Sequence, residues 1–171
     1  DGKATVRADH YWYWGRTDLI PENTRKALTS RGRSPIGFTT EDGEGHLLSF
    51  PEYAAMYLLV WNEQLCSAYG VDDGTDAKLK GFPAAVRAAR RVLANMATYM
   101  LFDDHEITDD WNLDADWERA TRNSMAQRIM ANGLAAYWAF QGWGNDPNAF
   151  DSLFQDAITR HLGALRKSKG Q

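Results

Sequence analysis

Apolar positions along this chain recur mostly at helical spacing, and the clearest helix begins at Ser49-Phe50-Pro51-Glu52. A serine stands at the N-cap, a proline in the first turn where its missing N–H costs nothing, and a glutamate three residues after the serine. A helix is expected from there over roughly 50–69. Tyr53, Met56, Tyr57, Leu58, Leu59, Val60 and Trp61 make it apolar almost all round, which predicts burial on more than one face. Farther on, Val86, Ala89, Leu93 and Met96 repeat at three and four residues with Arg87, Arg90 and Arg91 mainly opposite, an amphipathic helix ending near Asn95.

Ahead of these helices the turn formers of 17–48 leave room for one short helix near 22–29, and between them Gly70 to Gly81 reads as a polar connection. The aromatic run Tyr11-Trp12-Tyr13-Trp14 is too short to carry a period and is expected to pack against a partner element. Ala97 to Phe102 is short, apolar and directly preceded by a helix end, so a buried strand is expected there. A long helix follows from a capping Asp114 or Asp116 to about 140, with Trp117, Thr121, Met125, Ile129, Ala136 and Phe140 near one stripe. Gly142 to Pro147 breaks it, and a last helix from Asn148 carries Phe150, Leu153, Phe154, Ile158, Leu162 and Leu165. The expected fold class is α+β, predominantly helical with one or two core strands.

Composition sharpens this picture in a few places. At 171 residues and 44% hydrophobic, the chain has material for one packed domain. A net charge of -4 offers no general attraction to nucleic acid or an anionic membrane, and no nucleic-acid binding is implied. No apolar run approaches about 18 residues, so no membrane span is expected. The single cysteine, Cys66, cannot form an internal disulfide and sits inside an expected buried helix. His10, His46 and His161 stand isolated, and His161, on an amphipathic helix, suits a surface or core-edge role rather than ligation.

The candidate chemistry lies just past the expected strand. In FDDHEITDDW, residues 102–111, five acids (Asp103, Asp104, Glu106, Asp109 and Asp110) surround His105. Carboxylate and imidazole groups that converge can hold a hard or borderline divalent metal. The same acids also suit a solvated loop that caps a helix. A further reading takes His105-Glu106-Ile107-Thr108-Asp109 as a variant of the helical metalloprotease motif, with aspartate in place of its second histidine.

FDDHEITDDW resembles the signature of the PhoD-like, or alkaline-phosphatase-D-like, branch of the calcineurin-type metallophosphoesterases. HLLSFPEYAAMYLLVWN at 46–62 and NGLAAYWAFQGWGNDP at 132–147 are similar to segments of bacterial proteins of that group. The resemblance implies an internal segment, 1–171 forming part of one catalytic domain, of a hydrolase of phosphate esters built as a helix-flanked β-sandwich around a divalent or mixed di-metal centre. It implies Asp104 as a metal ligand in place of the family's asparagine, and His105 as the catalytic histidine near the leaving group. Asp103, Glu106, Asp109, Asp110 and Trp111 become orienting neighbours. The family's upstream Gly-Asp-Gln-Ile-Tyr-Ala-Asp type segment and later histidine-bearing loops are absent. The site's other ligands would therefore come from the remainder of the parent domain, and this chain alone is expected to lack activity. The rival expectation is a non-catalytic helical binding or regulatory module whose acidic loop is only a cap.

Overall fold

The computed structural model describes residues 22–41, 43–69, 79–111 and 114–167. His10, the aromatic run Tyr11–Trp14 and most of the 70–81 connection lie outside them. The first helix, α1 (Glu22–Thr29), leads through turns to α2 (Phe50–Trp61). Glu52 anchors the start of α2 as its position three residues past Ser49 predicts, since its Oε2 accepts from the N–H groups of Ser49 (2.8 Å) and Leu48 (3.0 Å). Its other oxygen, Oε1, pairs with the buried Arg25 of α1, so one carboxylate joins two helices.

The expected single helix over 50–69 is two. Asn62 ends α2 in an extended conformation, and its Oδ1 accepts from the N–H groups of Gln64 (3.0 Å) and Leu65 (3.1 Å) to start α3 (Glu63–Ala68). Cys66 is fully buried in α3. Helix α4 (Phe82–Leu93) packs against α3, with Arg87 held by both carboxylate oxygens of Glu63. The long helix expected from Asp114 is divided in the same way. Asp114 caps α5 (Ala115–Ala120) through Trp117 N–H (2.7 Å), and Asn123 caps α6 (Ser124–Tyr137) through Ala126 N–H (2.9 Å). Asparagine competes for backbone donors from outside the helix, which is why both breaks fall on one.

Beyond α6 the chain widens into a π-helical turn, Trp138–Gly142, and makes one more α turn, Trp143–Asn145. A 3₁₀ turn at Pro147–Ala149 precedes α7 (Ser152–Lys167), which thus begins later than Asn148. Trp138 meets Trp143, Phe150 and Phe154 at ring distances of 5.2, 5.9 and 5.5 Å, and this aromatic group seats the start of α7.

The core forms where α2 lies on α6. Tyr53 and Tyr57 of α2, Ala126, Ile129 and Ala136 of α6, and Ile36, Phe38, Leu48 and Ile107 from the connections bury one another. Burying a side chain such as Ile129 contributes about 1.5–3 kcal/mol. As its apolar surface predicts, α2 is covered on more than one face, by α6 and by α4, while Leu58 is 49% exposed. Gly133 lets the helices and the 107 region close up: a Cβ there would stand 2.6 Å from Ile107 Cδ1 and 3.3 Å from Tyr53 Cζ. Its neighbour Asn132, also fully buried, donates from Nδ2 to the Leu48 carbonyl (3.0 Å) and accepts at Oδ1 from His161 Nε2 (3.0 Å). His161 therefore ties α7 to the edge of the core.

The α+β expectation is overturned. Among the described residues there is no β-strand and no sheet, only a single isolated bridge between Ser30 and Thr40, and the helix-flanked β-sandwich implied by the resemblance is not seen. Ala97–Phe102 is not a buried strand: among the described residues no second segment stands beside it to form a ladder. From Tyr99 to Phe102 burial alternates in strand fashion, with Met100 and Phe102 partly covered and Tyr99 and Leu101 exposed. The Met100 amide is paired by a side chain instead: its N–H donates to Asn145 Oδ1 (2.8 Å), and its carbonyl accepts from Asn145 Nδ2 (2.7 Å) and Tyr137 hydroxyl (2.9 Å). No helix of the described residues is long and apolar enough to cross a membrane.

Candidate functional site

The acidic stretch folds as one 3₁₀ turn, Asp104–Glu106, fixed at both ends. At its start Asp103 is the N-cap, its Oδ1 accepting from Asp104 N–H (3.1 Å), while Glu106 Oε2 reaches back to Asp103 N–H (2.8 Å). Two of the five acids thus serve the turn's own backbone. Burial raises the Glu106 carboxyl above its ordinary range, with the neighbouring Asp103 and Asp104 charges adding to the rise and hydrogen bonding from Asp103 N–H opposing it. At the other end Ile107 and Thr108 are buried, and their N–H groups return to the Asp104 carbonyl at 2.8 and 2.9 Å.

Asp104 is held from two sides. Its Oδ2 accepts from Trp111 N–H (3.1 Å) and its Oδ1 lies 2.7 Å from His105 Nδ1. Trp111 N–H is the main cause that holds this carboxyl below its ordinary range, with His105 assisting against partial desolvation. The bond to Asp104 likewise raises the His105 pKa, and the charges of Asp109 and Asp103 act in the same direction. Asp103 Oδ2 is 3.7 Å from His105 Nδ1, and Asp109 Oδ1 is 3.8 Å from His105 Nε2, so three carboxylates ring one exposed imidazole.

The remaining expected site residues also have partners outside the turn. Asp109 is tied to the 39–41 segment, its Oδ2 accepting from Glu41 N–H (3.3 Å) and its carbonyl from the Thr39 hydroxyl. Asp110 adopts a left-handed backbone (φ 55°) and pairs with Arg31. Trp111 contributes its backbone N–H to the site, while its ring meets Phe102 edge-on at 5.9 Å and Trp117 at 5.5 Å. The helical metalloprotease reading does not survive, because His105 and Asp109 do not share an α-helix: the 3₁₀ turn ends at Glu106.

The structure thus groups Asp103, Asp104 and His105, with ligand atoms that all lie within 4.8 Å of one another. Asp103, expected only as an orienting neighbour, belongs to the group of donors. Carboxylate oxygens with one imidazole nitrogen suit a hard or borderline divalent cation, and three such donors form part of a coordination shell. Several supporting residues carry no sequence signal. Thr39 N–H donates to Thr108 Oγ1 (2.9 Å), Arg31 meets Asp110, and His46 Nε2 lies 2.5 Å from the Ile107 carbonyl, each pair more than 60 positions apart. Comparison of the chain with protein-family models, curated proteins and solved structures finds no match.

Proposed function

We propose that the turn from Asp103 to Asp109 is one corner of a divalent-cation site in a PhoD-like, metal-dependent hydrolase of phosphate esters. The observation that supports this reading is the convergence of Asp103, Asp104 and His105 on a turn whose two ends are anchored independently. Asp104, with Asp103 beside it, would hold the cation. When bound, such an ion polarises a phosphoryl oxygen and lowers the pKa of a water. Trp111 N–H keeps the Asp104 carboxylate ionised and aimed, and His105, 66% exposed at its side chain, is free to donate a proton to a leaving oxygen. The other ligands belong to parts of the site beyond this turn, and the chain alone is inactive.

The reciprocal capping of Asp103 and Glu106 favours a second reading, a binding module whose acids only hold the turn. Titrating the 171-residue chain with Mn²⁺ and following paramagnetic broadening of amide signals separates the two. Broadening centred on residues 103–109 and lost in Asp104→Asn is expected. Broadening spread evenly over all surface acids, unchanged by Asp104→Asn, leaves the capping reading. The same chain should not turn over p-nitrophenyl phosphate. Robust metal-dependent turnover abolished by His105→Ala would show that the site is complete within it.

A further inference from the structure

His46 lies in the connection between α1 and α2, is buried to 9% exposure, and packs its ring against Phe38 at 5.7 Å. Both of its ring nitrogens face carbonyl oxygens. Nδ1 is 2.6 Å from the Leu47 carbonyl and Nε2 is 2.5 Å from that of Ile107, 61 positions away. A neutral imidazole has one N–H and one lone pair, so it can satisfy only one of two acceptors; the imidazolium satisfies both. The two carbonyls are not equally dependent on it. Leu47 also accepts from the Tyr53 hydroxyl (2.9 Å), whereas among the described residues His46 is the one donor to Ile107. Leaving a buried carbonyl without a donor is costly, so the neutral ring places its proton on Nε2.

Ile107 is the residue that closes the acidic turn, its N–H bonded to the Asp104 carbonyl (2.8 Å) and its side chain packed against Gly133. We propose that His46 is a positioning residue for that turn: its Nε2–H holds the Ile107 carbonyl, and a second proton, which the buried ring accepts less readily than an exposed one, loosens the clasp. The groups facing the ring come from three sides. Arg25 of α1 donates to the carbonyl of His46 itself (2.5 Å) and its charge opposes the second proton. Glu52 of α2 favours that proton, and the Tyr53 hydroxyl from the same helix stays neutral because burial raises its pKa far above the ordinary value. The turn presents only the Ile107 carbonyl. Burial is the largest influence and lowers the His46 pKa, so the ring is neutral at pH 7.

This inference goes beyond the cation reading and holds whether or not the turn binds metal. Its test is nitrogen-15 NMR of the imidazole rings in a metal-free His105→Asn chain, which removes the other titrating ring from the turn. Signals are assigned by His46→Gln. The expected result is an Nε2–H tautomer at neutral pH, gain of the Nδ1 proton below the ordinary histidine range, and displacement of the Ile107 and Thr108 amide signals over the same pH interval. In His46→Gln, which can keep an N–H toward Ile107 but does not titrate, that displacement should disappear while the folded spectrum remains. An Nδ1–H tautomer at neutral pH would overturn the assignment. Ile107 and Thr108 signals that stay still while His46 titrates would overturn the coupling. Both readouts come from a chain that retains His46, so loss of folding in the glutamine variant leaves the proposal open to refutation.

Discussion

The α2–α6 interface and the run from Met96 to Leu101 draw on the same kinds of residue, tyrosine, methionine and aliphatic side chains, yet they differ in what stands opposite them. At the interface Tyr53 is 1% exposed and Ile129 0%, because a second helix supplies matching side chains and Gly133 removes the one methyl that would hold them apart. In the run, Tyr99 is 76% and Leu101 87% exposed, and among the described residues its backbone is tied to the rest of the fold through the Asn145 amide and the Tyr137 hydroxyl. Apolar content is a property of a segment; burial is a property of a pair of segments.

Substitutions should separate the two regions, and the largest effect should come where the packed region depends on charge. Glu52→Gln removes the carboxylate that pairs with the buried Arg25 and should cost about 3–5 kcal/mol in urea unfolding. The pH dependence carries a definite sign. Burial opposes ionisation of Glu52, but the Arg25 bond and the Ser49 and Leu48 N–H groups outweigh it, and the folded pKa falls below the ordinary 4.5. Its contribution is therefore present above pH 4.5 and is lost as pH falls through the lower folded value. A glutamine variant whose stability falls with acid as steeply as the parent's would remove Glu52 from that role.

Next in size, Ile129→Ala should cost about 2–5 kcal/mol by opening a cavity. Leu101→Ala, with almost nothing against it, should stay within about 0.5 kcal/mol. Equal losses at the two positions would abolish the distinction between the regions. A local effect of intermediate size is expected at the run's amide clamp: Asn145→Ala removes both amide bonds to Met100 and should cost about 1 kcal/mol. Hydrogen exchange at the Met100 amide should quicken in that variant while exchange in α6 is unchanged. Equal acceleration in both would show that the run and the packed region unfold together.

Much of the helical plan was legible because its signals are local. Ser49, Pro51 and Glu52 announce α2, and Asp114 announces α5, through groups within one turn. Asn62 and Asn123 divide two expected helices by the same chemistry, but each lies within an apolar pattern that continues across it. The Ala97–Phe102 run has strand-like alternation without a strand, since sequence records the period of a segment and not the presence of a neighbour. Within the site, Asp103, Asp104 and His105 come together because they are adjacent, and this much could be read directly. The parts that hold them, Thr39 with Thr108, Arg31 with Asp110 and His46 with Ile107, meet only through the fold of the whole chain.

The π-helical turn at Trp138–Gly142 gives the end of α6 a strict residue count. An i to i+5 turn takes in one residue more than an α turn does, and each residue of an α-helix advances the direction of the next by about 100°. Deleting one residue there would restore the regular helix and swing Asn145 away from Met100, Trp143 away from Phe150 and both away from the ends they now secure. The surface connections of this chain can vary in length, whereas this segment acts as a spacer whose length sets the aim of everything after it.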